Sequence, residues 1–311
     1  MLWQAPGMTD LSELAGGDFD LNVRDAAMEY VEILAEQSGG TVTRDQLEHF
    51  TVGGRQIKLI DQSRGIRNPA EVAATISVVH NPLGPYDDQI ADGFLSYSIS
   101  TAGWRQGDNR KLHTAYQQRL PIIVLQKLRA NVYVPSLPAY LVDEHPERGE
   151  YGQYLIAFGE VARSMDPDSE VERRYAKKMV RHRLHQPLFR AMVLEAYVRH
   201  CAICSLKHVE LLDAAHIVPD SYERGRAAIS NGLALCKIHH SAYDADVIGI
   251  DADYRIHIAE SVMQEVDGPM LRHGLQDFHG ELLRQLPSRT SDRPSKDALS
   301  TRFKGFLRRS A

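Results

Sequence analysis

The chain has 311 residues, a formal net charge of −5 and a hydrophobic fraction of 43%. This length suits two compact domains, and the acidic balance excludes a uniformly basic nucleic-acid binder, so any such surface must be local. The three cysteines, at 201, 204 and 236, argue for a metal site in a reducing, cytoplasmic setting rather than a disulfide framework, and neither a membrane-length apolar run nor a signal-peptide pattern is present.

Residues 1 to about 20 are Gly-containing and mixed, an expected loose arm. Residues 22–37 set Ala26, Tyr30, Ile33 and Leu34 near helical spacing, and SGG ends the run, so an amphipathic helix is expected. A shorter helix follows at 41–50, with Thr43 as cap and Gln46 as its capping-box partner. From about 51 to 160, short β-like runs (RQIKLID, ATISVV, GFLSYSIS, LPIIVLQ, ANVYVPS, YLIAFG) alternate with Gly, Pro, Asn and Asp. That texture predicts a curved or barrel-like β domain with long loops. Residues 162–200 turn helical. Arg173, Arg174, Lys177, Lys178, Arg181 and Arg183 lie in a stretch to 190 with no acidic residue. It reads either as a solvated linker helix or as a segment that contacts DNA phosphates by displacing counterions.

The window 201–244 concentrates the chemistry. Cys201 and Cys204 form one C-x2-C pair, and Cys236 with His239 forms a second at the same spacing. Four such donors suit tetrahedral Zn(II). A competing assignment uses His208 or His240 in place of His239. Two strands and a helix are expected around the metal. On a helix starting near Leu235, His240 and Asp244 are four apart and share a face, one step round from His239. An imidazole and a carboxylate suit a divalent ion with open positions, Mg(II), Mn(II) or another. His216, in the strand-like run AAHIVP, can accept a proton from water because the ordinary imidazole pKa lies near neutrality. Asn231, in a turn before Gly232, can fix the loop that aims it. Beyond the window, VIGIDADYRIHIAE reads as a hairpin, and the Arg-, Lys-, Ser- and Pro-rich end as a mobile basic tail.

The joint spacing of His216, Asn231 and His240, framed by CAIC and CKIH, resembles the HNH (ββα-metal) nucleases. That resemblance implies a general-base role for His216, an orienting role for Asn231, and a catalytic-metal role for His240 with Asp244. The family often carries Asp or His just before the base, and this chain has Ala215 there. Asp213 is the nearest carboxylate and a possible third ligand, although strand alternation turns it to the face opposite His216; otherwise the ion keeps an extra water.

GPYDDQIADGFLSYS and DNRKLHTAYQQRLPIIVLQKLRANVYVP resemble the SRA-like (PUA-superfamily) domains that precede HNH modules in modification-dependent restriction endonucleases. The resemblance implies a flipped-base pocket built from Tyr86, Asp87, Asp88, Asp92, Tyr97 and Asn109, with His113 as a further polar contact.

The expected architecture is α+β. An N-terminal arm with helices (1–50) leads to an SRA/PUA-like β domain (51–160), a basic helical linker (161–192), a zinc-bearing ββα-metal domain (193–260), and a C-terminal helix and tail (261–311). The expected function is a metal-dependent endonuclease on double-stranded DNA carrying methyl- or hydroxymethylcytosine, acting as a homodimer with no membrane partner. The alternatives are an HNH nuclease reading phosphorothioate or unmodified sequence, and a non-catalytic zinc-knuckle DNA-binding protein.

Overall fold

The computed structural model describes residues 17–81, 89–91, 94–99, 103, 105–148, 152–166, 169, 172, 175–176, 179–180, 184–219, 228–266 and 268–309, the backbone alone for 17–18 and 89–91. Tyr86, Asp87, Asp88 and Asp92, and the basic residues Arg173, Arg174, Lys177, Lys178, Arg181 and Arg183, lie outside the described residues. The chain forms two compact units, Met1–Leu188 and Phe189–Ala311. No helix among the described residues is long and apolar enough to cross a membrane.

In the first unit, helix α1 (Gly17–Gln37) starts earlier than the sequence pattern predicts. Val23, Ala26, Ala27, Tyr30 and Val31 recur at helical steps and are buried. They share a core with Phe50, Leu59, Ile123 and Leu125. Thr43 caps α2 (Arg44–Glu48), and both bonds of the expected capping box are present. The sheet is built from β1 (Val42–Thr43), β4 (Ile66–Arg67), β5 (Ser77–His80), β6 (Gln89–Ala91), β7 (Phe94–Ser98), β8 (Ile122–Arg129), β9 (Val132–His145) and β10 (Gln153–Phe158). Its order is β4-β5-β8-β9-β10-β7-β6, and β1 pairs with β9. A separate small hairpin joins β2 (Thr51–Val52) to β3 (Arg55–Gln56). Successive β8 side chains serve different cores: Ile123 and Leu125 pack towards α1, whereas Ile122 and Val124 join a second cluster with Leu112 of α3 (Asp108–Gln117). That two-sided burial explains the unbroken apolar run at 120–125. β9 outruns its predicted end by passing through Pro135 and Pro138, and its ladder with β8 shifts register between Ile122 and Val124.

In the second unit, β11 (Leu212–His216) and β12 (Gly232–Cys236) pair antiparallel, His216 opposite Gly232. α5 (Lys237–Asp244) follows directly. The predicted hairpin is β13 (Ile248–Ile250) with β14 (Ile256–Ile258). α4 (Gln186–Ala196) leads into the unit, and α6 (Glu260–Met263), α7 (Pro269–Gly274) and α8 (Lys296–Arg309) complete it. The C-terminal stretch is not the mobile tail its composition suggests. α8 buries Leu299 and Phe306, and Phe306 fills the space left by Gly249, where a Cβ would come 2.5 Å from the ring. Asp246 is almost fully enclosed and ion-pairs with Arg302 at 3.2 Å and Arg309 at 2.6 Å. A buried carboxylate needs such partners, so these arginines are committed to the fold.

Candidate active site

The first cluster sits where the turn after α4 meets the start of α5. Ligand atoms of Cys201, Cys204, Cys236 and His239 all lie within 4.8 Å of one another. His239 contributes Nδ1, which lies 3.2 Å from the Cys236 sulfur and 3.5 Å from that of Cys201. His208, the competing ligand, is exposed and outside this group. Three thiols and an imidazole at this spacing fit tetrahedral Zn(II). The electrostatics agree with a cation-seeking site: Cys204, Cys236 and burial push the Cys201 thiol up, whereas its sulfur neighbours pull Cys236 down towards thiolate. Burial alone would lower His239, but the Cys201 and Cys236 sulfurs outweigh it and raise the ring to about 10. Its far nitrogen, Nε2, donates to the Gly274 carbonyl at 2.9 Å, and Phe278 meets the ring edge-on. This backing fixes which nitrogen faces the sulfurs. No motif in 201–244 signals it, because Gly274 lies 35 residues beyond His239.

The second cluster centres on His240, half-buried on the same helix. Asp213 Oδ2 lies 3.4 Å from its Nδ1, and Asp244 Oδ2 lies 3.3 Å from its Nε2. Hydrogen bonds from its ring nitrogens to Asp213 first, then to Asp244, raise its pKa to about 9. Burial would raise the Asp213 carboxyl, but His240, the Ala214 N–H and Arg190 hold it below the usual range. His240 likewise holds Asp244 low. Strand alternation, which set the place of Asp213 in question, brings it to the site. The face opposite His216 is the one that α5 covers, so alternation delivers Asp213 to His240. The imidazole–carboxylate pair suits an open-coordinated divalent ion.

His216 ends β11. Its ring stacks on Phe189 of α4, with centroids 4.0 Å apart and planes at 18°. Asn231 is buried and grips the backbone just beyond His216: its Oδ1 accepts from the Val218 N–H at 2.9 Å and its Nδ2 donates to the Val218 carbonyl at 3.0 Å. Its own carbonyl accepts from the Ile217 N–H. Gly232 is required by close packing: a Cβ there would come 2.4 Å from Val193 and 3.0 Å from Phe189. Gly232→Ala should therefore destabilise the unit by about 1–3 kcal/mol and slow turnover, since the ring it displaces supports His216. Thermal melts and single-turnover rates check this, and a variant that melts with the parent would sink it.

Arg190 closes the basic run but turns inwards. It donates to the Leu212 and Val209 carbonyls at 2.7 and 3.2 Å, and its Nε lies 3.5 Å from Asp213. In the first unit, the two described residues of the expected base pocket face the interior. Tyr97 is 4% exposed with its hydroxyl donating to the Gly65 carbonyl, and Asn109 is 1% exposed with its amide donating to the Gly103 carbonyl. Inward alternation on β7 and the first turn of α3 bury them, so neither offers a face to a base. His113 is also enclosed, against the Tyr154 hydroxyl and Glu144.

Residues 201–251 match the HNH endonuclease family model, so this segment is an HNH endonuclease domain. Two solved structures are similar to the chain. One is the modification-dependent TagI restriction endonuclease, 17% identical over 84% of this chain and 89% of that one, TM-score 0.30. The other is the Type IV phosphorothioation-dependent restriction endonuclease ScoMcrA, 15% identical over 58% of this chain and 51% of that one, TM-score 0.25. No curated protein matches the chain.

Proposed function

We propose that this chain, whose residues 201–251 are an HNH endonuclease domain, is a metal-dependent restriction endonuclease directed to modified double-stranded DNA. The carrying observation is the union of two sites on one helix, with the Cys3His cluster at His239 and the carboxylate-flanked imidazole at His240. In this reading Cys201, Cys204, Cys236 and His239 hold a structural zinc. His216 takes a proton from the attacking water through its imidazole. Phe189 sets the plane of that ring, and Asn231 pins the backbone beyond it. A divalent ion, Mg(II) or Mn(II), on His240 and Asp244 would stabilise charge developing on the phosphate and the leaving oxygen. Cutting both strands with one such site per chain calls for two chains, so the working form is a homodimer.

The pH dependence follows from His240. A protonated imidazole cannot bind a metal, and this one holds its proton up to about 9. The half-saturating Mn(II) concentration should therefore rise about tenfold for each pH unit below that value. A titration with no pH dependence between 7 and 8.5 would remove His240 from the ligand set.

The first unit is the proposed reader of the modification, as an SRA-like domain. Its support is a curled β-rich unit placed before the nuclease domain, in the region with the sequence resemblance. Digestion of matched duplexes carrying C, methyl-, hydroxymethyl- or glucosylated C, or phosphorothioate, with Mg(II) or Mn(II), tests it. Cytosine-modified DNA should be cut in preference to unmodified DNA. Preferential cutting of phosphorothioate DNA moves the reading to that mark, and equal cutting of all substrates removes modification dependence.

A further inference from the structure

The two carboxylates on His240 are not equivalent. An imidazole that gives one nitrogen to a metal carries its proton on the other, so one of the two acids faces the metal and the other faces N–H. Asp213 is anchored. Its Oδ1 accepts from the Ala214 N–H at 2.8 Å and lies 3.5 Å from the Arg190 guanidinium, which is itself fastened to the Leu212 and Val209 carbonyls. Its Oδ2 faces His240 Nδ1. Asp244 is 63% exposed and ends its helix, beside Nε2. Resting on the reading of His240 and Asp244 as the divalent-metal pair, we infer that Asp213 is a positioning residue and not a metal ligand. It accepts the Nδ1 proton of His240 and so turns the Nε2 lone pair towards Asp244 and the ion. Arg190 holds Asp213 in place, and the three form a line from α4 through β11 to α5. Such partners typically contribute 10–100-fold to metal affinity. Ala215 is consistent with this: the strand supplies an orienting acid one pleat earlier in place of a ligand beside the base.

Asparagine separates the two roles. Its amide oxygen still accepts from Nδ1–H, but a neutral amide is a poor replacement for a ligating carboxylate. Mn(II) binding by the full zinc-loaded chain is measured by EPR of the free ion, with zinc content and melting temperature confirming the fold. Asp213→Ala should weaken binding about 10–100-fold, Asp213→Asn should recover most of that loss, and Asp244→Asn should not. A second readout needs no variant: nitrogen-15 NMR of the Mg(II)-loaded parent should show the His240 proton on Nδ1. Asp213→Asn as weak as Asp213→Ala, Asp213→Ala as tight as the parent, or a proton on Nε2 each overturns the positioning role. Unchanged Mn(II) binding in His240→Ala would instead overturn the underlying metal reading, and this inference with it.

Discussion

With Cys201, Cys204, Cys236 and His239 read as a structural zinc site, replacing Cys236 with Ser, or stripping the metal with a chelator, should unfold the second unit. The apparent binding energy of a structural zinc is about 10–16 kcal/mol, as large as the whole stability of an ordinary domain at about 5–15 kcal/mol. The four ligands come from the turn after α4 and the β12–α5 junction, and Cys201 and Cys236 belong to the core that also holds Leu212, Leu235, Ile250 and Leu299. Without the ion, buried sulfurs and a buried imidazole are left crowded together with no shared cation. Hydrogen exchange checks this: amides of β11, β12 and α5 should exchange at unfolded rates after zinc removal. Protection that survives zinc removal would show that the core alone holds the unit. His239→Ala should behave like Cys236→Ser, whereas His240→Ala should stay folded with its zinc.

His216→Ala should lower the single-turnover cleavage rate by about 10²–10⁴-fold, the usual contribution of a positioned general base, while zinc content and Mn(II) affinity stay at parental values. The reason is separation of roles. His216 stacks on Phe189 and, among the described residues, lies outside the Cys3His group. A variant that cleaves at the parental rate would transfer the base role elsewhere, and one that also loses Mn(II) would make His216 a ligand. Phe189→Leu tests the support: it keeps the imidazole but removes the stacked ring, so the rate should fall by less than in His216→Ala.

The nuclease domain was largely legible in the sequence because its constraints are local. Two C-x2-[CH] pairs, a turn at Asn231-Gly232 and an i,i+4 pair on a short helix are fixed by spacing, and the structure brings the two sets together on adjacent residues of α5. What was not legible comes from distant chain. The Gly274 carbonyl behind His239 has no side chain to advertise it. Arg302 and Arg309 read as solvated charge until a buried Asp246 recruits them. The place of Asp213 stayed open in the sequence because alternation counted from His216 does not say which face α5 packs on, and that face is the one that carries it to His240. The first unit was less legible. Its strands alternate between two cores, so an aromatic such as Tyr97 reads equally as a pocket wall or as packing, and burial decides for packing.

The most direct test is single-turnover cleavage of an end-labelled duplex, in the modification state selected by the digestion panel, with Mn(II) raised from zero. Zinc-loaded parent and His240→Ala of equal zinc content are compared. Cleavage by the parent that is absent without Mn(II) and saturates with it, and is lost in His240→Ala, is the predicted result. Cleavage that ignores added Mn(II), or that persists in His240→Ala, would contradict the assignment of adjacent histidines to two different metals.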